Sequence, residues 1–177
     1  PSATAPPYWP GFMPYRTPEM DKPVLLVSAC LLGQPVRYDA ASKGLPEHWQ
    51  ARLAARYTLL PFCPECAGGL PTPRPPAEIR GGCGAQVLAG VAQVRTEAGD
   101  DVSAAFVSGA RLTLQQAQQH GCRLALLKAN SPSCGNRQVY SGRFDGQLQA
   151  GAGVTAALLQ QHDITVYSEQ QLDALLA

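Results

Sequence analysis

Three short apolar runs, each followed within a few residues by a cysteine, constrain the fold of this chain more than any other feature. Val24 to Val27 leads to Cys30, Tyr57 to Phe62 leads to Cys63, and Leu124 to Leu127 leads through a turn to Cys134. Short apolar runs bounded by turn signals read as strands buried on both faces, as parallel sheets require. Between them lie segments of helical character, one around Pro46 to Arg56 with Pro46 in the first turn, and one from about Val102 to Gln119. In the second, Val102, Phe106, Ala110, Thr113 and Ala117 share a face. Strands alternating with helices predict parallel crossover units, hence an α/β, Rossmann-like three-layer sandwich with a mostly parallel sheet. The carboxyl ends of such strands share one edge, so thiols far apart in sequence converge there. Three converging thiolates make a metal or cluster site with one position left for substrate.

The rest of the chain is consistent with one such unit. At 177 residues and 45% hydrophobic, it is long enough to bury one core. Residues 1–22 are expected to form an irregular arm, because the first 20 hold six prolines and four aromatics without periodicity. Residues 23–177 then make a single domain. Asp100 and Asp101 are N-cap candidates for the long helix, and Gly121 ends it. Val87 to Val94 reads as an irregular strand or hairpin, Tyr140 to Leu148 as a small hairpin, and Ile164 to Tyr167 as a last strand. A helix opens in the segment from Gly151 to His162, where Gly151, Gly153 and Thr155 offer either a phosphate-binding turn or ordinary capping. Ser168 with Gln171 resembles a capping box. The stretch from Pro64 to Gly84, with five prolines and five glycines in 21 residues, is expected to be a long functional loop.

A net charge of +1 leaves no electrostatic footprint for extended nucleic acid or an anionic membrane surface. No stretch approaches 18 uninterrupted apolar residues, and no basic segment precedes an apolar run at the start, so a cytoplasmic protein is expected. In a reducing compartment six cysteines read as ligands, catalytic thiols or small buried hydrophobes rather than disulfides.

The pair Cys63-Pro64-Glu65-Cys66 invites several readings. A thioredoxin-type pair requires a helix opening at the motif to lower the thiol pKa, whereas Ala-Gly-Gly-Leu-Pro-Thr-Pro follows. A zinc nucleobase deaminase requires His-x-Glu upstream and Pro before the first cysteine, but Trp49 and Gln50 follow His48 and Phe62 precedes Cys63. A four-cysteine structural zinc site requires a second close pair, which is absent. Cys122 opens a buried strand and reads as an inert hydrophobe. Cys83 has no strand to position it, and Cys66 is either a spare thiol or a replacement ligand.

Seven ordered motifs carry a resemblance. They are SACLLG (28–33), VRYD (36–39), CPE (63–65), GGLPTPRPPAEI (68–79), DVSAAF (101–106), LKANSPSCG (127–135) and GVTAALL (153–159). Over roughly Val24 to Glu169 the chain resembles the thiouracil desulfurase family. The resemblance implies a [4Fe-4S] cluster held by three cysteines, Cys30, Cys63 and Cys134 by motif, with the fourth iron free to bind the sulfur of a thiolated uracil. Water would then attack the ring carbon, releasing uracil and sulfide without net electron transfer. Cys66 stands where the family pattern does not demand cysteine. Ala40 and Ser103 depart mildly from that pattern and leave the ligand set untouched.

Chemistry near such a site calls for a proton-transferring group within hydrogen-bond reach of substrate. Glu65, two residues from Cys63, is the first candidate, with pairing to Arg74 as its structural alternative. Ser131 and Ser133 flank Pro132 in the third cysteine loop, where they orient a base or water or cap the turn. Lys128 stabilises developing negative charge or pairs with Asp101 or Glu78. Arg37, Tyr38 and Asp39 shape a substrate pocket, Tyr38 by stacking on a base, or form a surface turn. The expected partner is a small thiolated nucleobase or nucleotide. Two other classes share these residues: a three-thiolate zinc hydrolase, and a non-catalytic sulfur-carrier or redox protein using Cys63 with Cys66.

Overall fold

A computed structural model describes residues 22–177; nearly all of the expected N-terminal arm lies outside the described residues. Four parallel strands form the central sheet, in the order β2 (Thr58–Phe62), β1 (Val24–Ser28), β5 (Leu124–Leu127), β8 (Thr165–Ser168). β1 sits in the middle because its apolar run suits burial on both sides: Leu25, Leu26 and Val27 are fully buried. Its side chains alternate between two cores. Leu25 and Val27 pack with Leu53 of α1 (Glu47–Arg56) and with Leu172 and Leu175 of α6 (Leu172–Leu175). Leu26 packs on the opposite face with Ala117 of α4 (Ser103–Gln119) and with Ala156 and Leu159 of α5 (Val154–Gln161). Helices thus cover both faces, and the Rossmann-like sandwich expected from the sequence is the fold.

Most helix signals also hold. α4 buries Phe106, Ala110, Thr113 and Ala117 on one face, as the spacing predicts. The expected N-cap does not hold: the cap position is Val102, with no side-chain cap. Asp101, one residue earlier, accepts from the Ser103 N–H at 3.0 Å and from its hydroxyl at 2.6 Å, and Asp100 bonds Thr96 instead. Gly121 takes a positive φ of 64° beyond its end. Ser168 and Gln171 form the expected capping box.

The segment between β2 and α4 is more ordered than its proline and glycine content suggested. A single turn, α2 (Pro64–Ala67), follows Cys63 directly, and β3 (Ala77–Arg80) pairs antiparallel with β4 (Gln93–Thr96). The expected strand at Val87 is instead a short helix, α3 (Gly84–Leu88), preceded by Cys83, whose N–H and thiol both bond Gln86 Oε1. A second hairpin, β6 (Gln138–Tyr140) with β7 (Leu148–Ala150), turns through Gly142 and Gly146, as expected. Both hairpins pack on α4 and α5 through a third core containing Ile79, Val94, Phe106, Val139 and Val154.

Candidate active site

One cavity of about 380 Å³ lies where the carboxyl ends of β1, β2 and β5 meet the β3–β4 hairpin. From β1 the chain runs to β2 on one side, and later β5 pairs on the other. The cavity therefore sits at the topological switch point, where open α/β sheets bind ligands.

Cys30, Cys63 and Cys134 all line this cavity, and Cys66, Cys83 and Cys122 do not. Cys30 lies in a one-turn 3-10 helix (Ala29–Leu32) directly after β1. Cys63 is the residue between β2 and α2. Cys134 hangs in the turn after β5, where Ser131 Oγ accepts the N–H groups of Ser133 and Cys134 at 3.1 Å each. Ser28 ties two of the strand ends together: its hydroxyl donates to Cys134 Sγ at 3.5 Å and accepts from the Lys128 N–H at 3.0 Å.

Electrostatics mark the thiols as a mutually close set. Burial pushes Cys30 up to about 11, with Cys63 adding to the rise and Lys128 and Arg37 opposing it. Burial pushes Cys63 up to about 12, with Cys66 and Cys134 among its neighbours. Cys134 is likewise pushed up to about 12 by burial, against the Ser28 hydrogen bond. Such thiols stay protonated unless a cation or metal compensates. Contrary to the sequence expectation, a helical turn does open at the motif, with Cys63 at its N-cap, but it is only one turn long, and burial holds the Cys63 thiol above its ordinary value.

Three thiols are a soft donor set, suited to iron-sulfur clusters or zinc. Thiolates sharing one zinc stand about 3.8 Å apart, given Zn–S bonds of about 2.3 Å. Among the described residues, no three His, Cys, Asp or Glu side chains gather tightly enough to hold a single ion. A cluster spreads its thiolates over separate irons and asks for no such convergence. Arg74 adds a buried positive charge on this side of the cavity. Its Nη1 lies 4.0 Å from Cys66 Sγ, and its Nε is buried without a hydrogen-bond partner. The rest of the guanidinium is taken up by Glu65 at 2.8 Å and by the carbonyls of Val36 and Pro71 at 3.1 and 3.2 Å.

The structure brings most of the sequence-predicted residues to this wall. Glu65, Lys128, Ser131, Arg37 and Tyr38 line the cavity. Glu65 is paired with Arg74 at 2.8 Å, so the structural alternative for it is realised while it still borders the site. Lys128 pairs with Glu169, not with Asp101 or Glu78; Glu169 also accepts the Ala129 N–H at 2.7 Å. This pairing joins residues 41 apart in sequence, which local reading does not reach. Tyr38 is exposed, with the Arg37 guanidinium over its ring at 5.4 Å. Asp39 lies outside the wall; it pairs with Arg37 at 3.2 Å and holds its own turn through the Ala41 N–H. Ser133 is also outside it, buried, with its hydroxyl 2.9 Å from that of Thr155.

The α5 N-terminus is not a phosphate site. The N–H groups of Gly153, Val154, Thr155 and Ala156 donate to the carbonyls of Gly135, Pro132 and Ser133. They are spent on holding the Cys134 turn. A Cβ on Gly153 would lie 2.6 Å from the Ser133 carbonyl, so only glycine lets the two segments meet. Sequence reading did not single out Ser28, Asn130 or Glu78 for the cavity wall, where all three stand. The motifs containing them were the available signal.

The protein is thus a doubly wound α/β domain with three thiols around a cavity at its switch point. The chain belongs to the 2-thiouracil desulfurase family, whose model matches residues 25–171. It is 42% identical over 156 residues to the uncharacterized protein YbbK of Bacillus subtilis (strain 168), covering 86% of this chain and all of the relative. It is also similar to a solved structure described as the [4Fe-4S]-dependent thiouracil desulfidase TudS. There the identity is 53% and the TM-score 0.78, covering 87% of this chain and 95% of that one. Among the described residues no helix is long and apolar enough to cross a membrane.

Proposed function

We propose that this protein removes sulfur from a thiolated uracil, as free base or nucleotide, giving uracil and sulfide by hydrolysis of the C–S bond. Cys30, Cys63 and Cys134 would hold a [4Fe-4S] cluster. The observation that carries the reading is the convergence of these three thiols, out of six, on one cavity. Bound there, the cluster supplies an iron without a protein ligand, a Lewis acid with affinity for the substrate's sulfur. The likeness to a solved [4Fe-4S]-dependent thiouracil desulfidase at 53% identity supports a cluster over the single zinc of a three-thiolate hydrolase.

The reaction consumes water and balances without electrons: C=S becomes C=O, and H2S leaves. Side chains of the wall divide the remaining work. Glu65, held at 2.8 Å by Arg74, accepts the proton of the attacking water. Lys128, oriented by Glu169, places a positive charge where negative charge builds on the departing sulfur. Ser131 shapes the turn that carries Cys134, and Ser133 acts at one remove by tying that turn to Thr155. Tyr38 offers a face for the pyrimidine, with Arg37 steadied by Asp39 behind it. Residues 23–177 form the single catalytic domain in this reading. Six free thiols suit a reducing compartment, and we place the protein in the cytoplasm.

The test is anaerobic cluster reconstitution followed by incubation with 2-thiouracil, 4-thiouracil and their nucleotides, reading sulfide and uracil together. Stoichiometric sulfide and uracil from at least one of them is expected. No sulfide from any of them by a fully loaded protein overturns the proposal.

A further inference from the structure

Glu78 is a buried carboxylate to which no role has been given so far. On β3 it alternates with Ile79, which is fully buried in the core under the hairpins, so Glu78 points the other way, into the cavity wall. It is 8% exposed. Oε2 accepts the N–H groups of Gly142 at 2.8 Å and Phe144 at 3.0 Å, both from the β6–β7 turn. Among the described residues no Lys or Arg pairs with it and no donor reaches Oε1. Arg74 Nε is the sole sealed side-chain N or O atom without a partner among the described residues. Glu78 Oε1 is therefore not sealed: it keeps access to the cavity.

Arg95 stands opposite Glu78 in the β3–β4 ladder and Arg80 lies two residues along the strand, but Arg95 bonds Gln93 and Gly99 and Arg80 bonds Gly142, and neither pairs with the carboxylate. Phe106, Val102 and Pro76 border the same space. A carboxylate oxygen open to the cavity accepts only hydrogen-bond donors. A thiolated uracil carries a ring N–H beside its C–S carbon: N3–H for either sulfur position, and N1–H as well in the free 2-thio base. We infer that Glu78 is a specificity-determining residue that accepts a ring N–H of the pyrimidine at Oε1 while its other oxygen is locked by the β6–β7 turn. The inference rests on the proposed activity for the identity of the ligand. It adds which edge of the ring is read, and by which atom.

The experiment uses the full-length reconstituted protein and the Glu78→Gln variant. Glutamine keeps an oxygen for the Gly142 and Phe144 N–H groups and turns an N–H toward the cavity, so the turn survives and only the acceptor is lost. Equilibrium binding of uracil by calorimetry should weaken on the order of 10- to 100-fold in Glu78→Gln, the cost of an unmade bond to a charged group. In parallel, wild-type protein should bind one of the two N-methyl uracils, N1 or N3, weaker than uracil by a similar factor, and Glu78→Gln should lose that discrimination. Uracil binding unchanged in Glu78→Gln, or equal wild-type affinity for uracil and both methylated rings, overturns the inference. Binding of uracil needs no turnover, so it decides this point even if no thiolated substrate is desulfurated. Should Glu78→Gln fail to fold, the wild-type comparison alone decides.

Discussion

At the scale of single residues, the protein is dominated by three thiols held against their own ionisation. Burial raises Cys30 to about 11 and Cys63 and Cys134 to about 12, from an ordinary thiol value near 9.0. A thiol whose folded pKa lies above its unfolded value contributes stability that is complete below the unfolded pKa. That stability is lost as pH rises through the folded pKa. The apo-protein should therefore show a flat thermal midpoint from pH 7 to about 8.5, and a falling one between about pH 9 and 12, in melts followed by circular dichroism. A midpoint that rises across that window would contradict the burial described here. The cysteines themselves were legible in the sequence, because each follows an apolar run. Their neighbours were legible only in part. Glu65 with Arg74 lies within one loop and was foreseen as an alternative, whereas Lys128 with Glu169, and Glu78 with Gly142, join residues 41 and 64 positions apart. Such pairs exist only once the sheet and hairpins have assembled.

At the scale of elements, the position of Cys63 depends on how closely α2 sits on α4. A Cβ on Gly109 would lie 2.0 Å from the Pro64 carbonyl, and one on Gly68 would lie 2.1 Å from that of Ala105. Two glycines thus let a one-turn helix touch a long one backbone to backbone. Gly109→Ala must push α2, and Cys63 with it, away from α4. We expect a loss of about 1–3 kcal/mol in urea unfolding, the usual range for overpacking, together with weaker cluster retention. Arg111→Ala, on the exposed side of the same helix, should change stability by less than about 0.5 kcal/mol. Equal effects of the two changes would refute the close-approach account. The long helix was readable from its 3.6-residue period, while α2, α3 and β3 were not. They are four or five residues long, in a stretch whose prolines and glycines mask any period, and they are held by contacts with α4 and α5 rather than by local propensity.

At the scale of the whole molecule, strand order does what no local feature does. The order β2-β1-β5-β8 sets three strand ends side by side at one edge, and the chain places a cysteine just after each of them. The two hairpins close the cavity from the far side, adding Glu78 and an apolar wall. The remaining thiols are elsewhere: Cys122 in the core behind the sheet, Cys83 at the start of α3, and Cys66 on α2, with its Sγ 3.8 Å from the Val36 carbonyl that Cys63 also approaches at 3.9 Å. The proposed function requires three protein ligands, four irons and one iron open to substrate. Mössbauer spectroscopy of protein reconstituted anaerobically with iron-57 tests that requirement most directly, on the wild type and on Cys66→Ser. The account predicts that adding 2-thiouracil shifts about a quarter of the iron signal in both proteins, because one iron in four lacks a thiolate. Four irons that all ignore the substrate, or a cluster that Cys66→Ser cannot assemble, would contradict it.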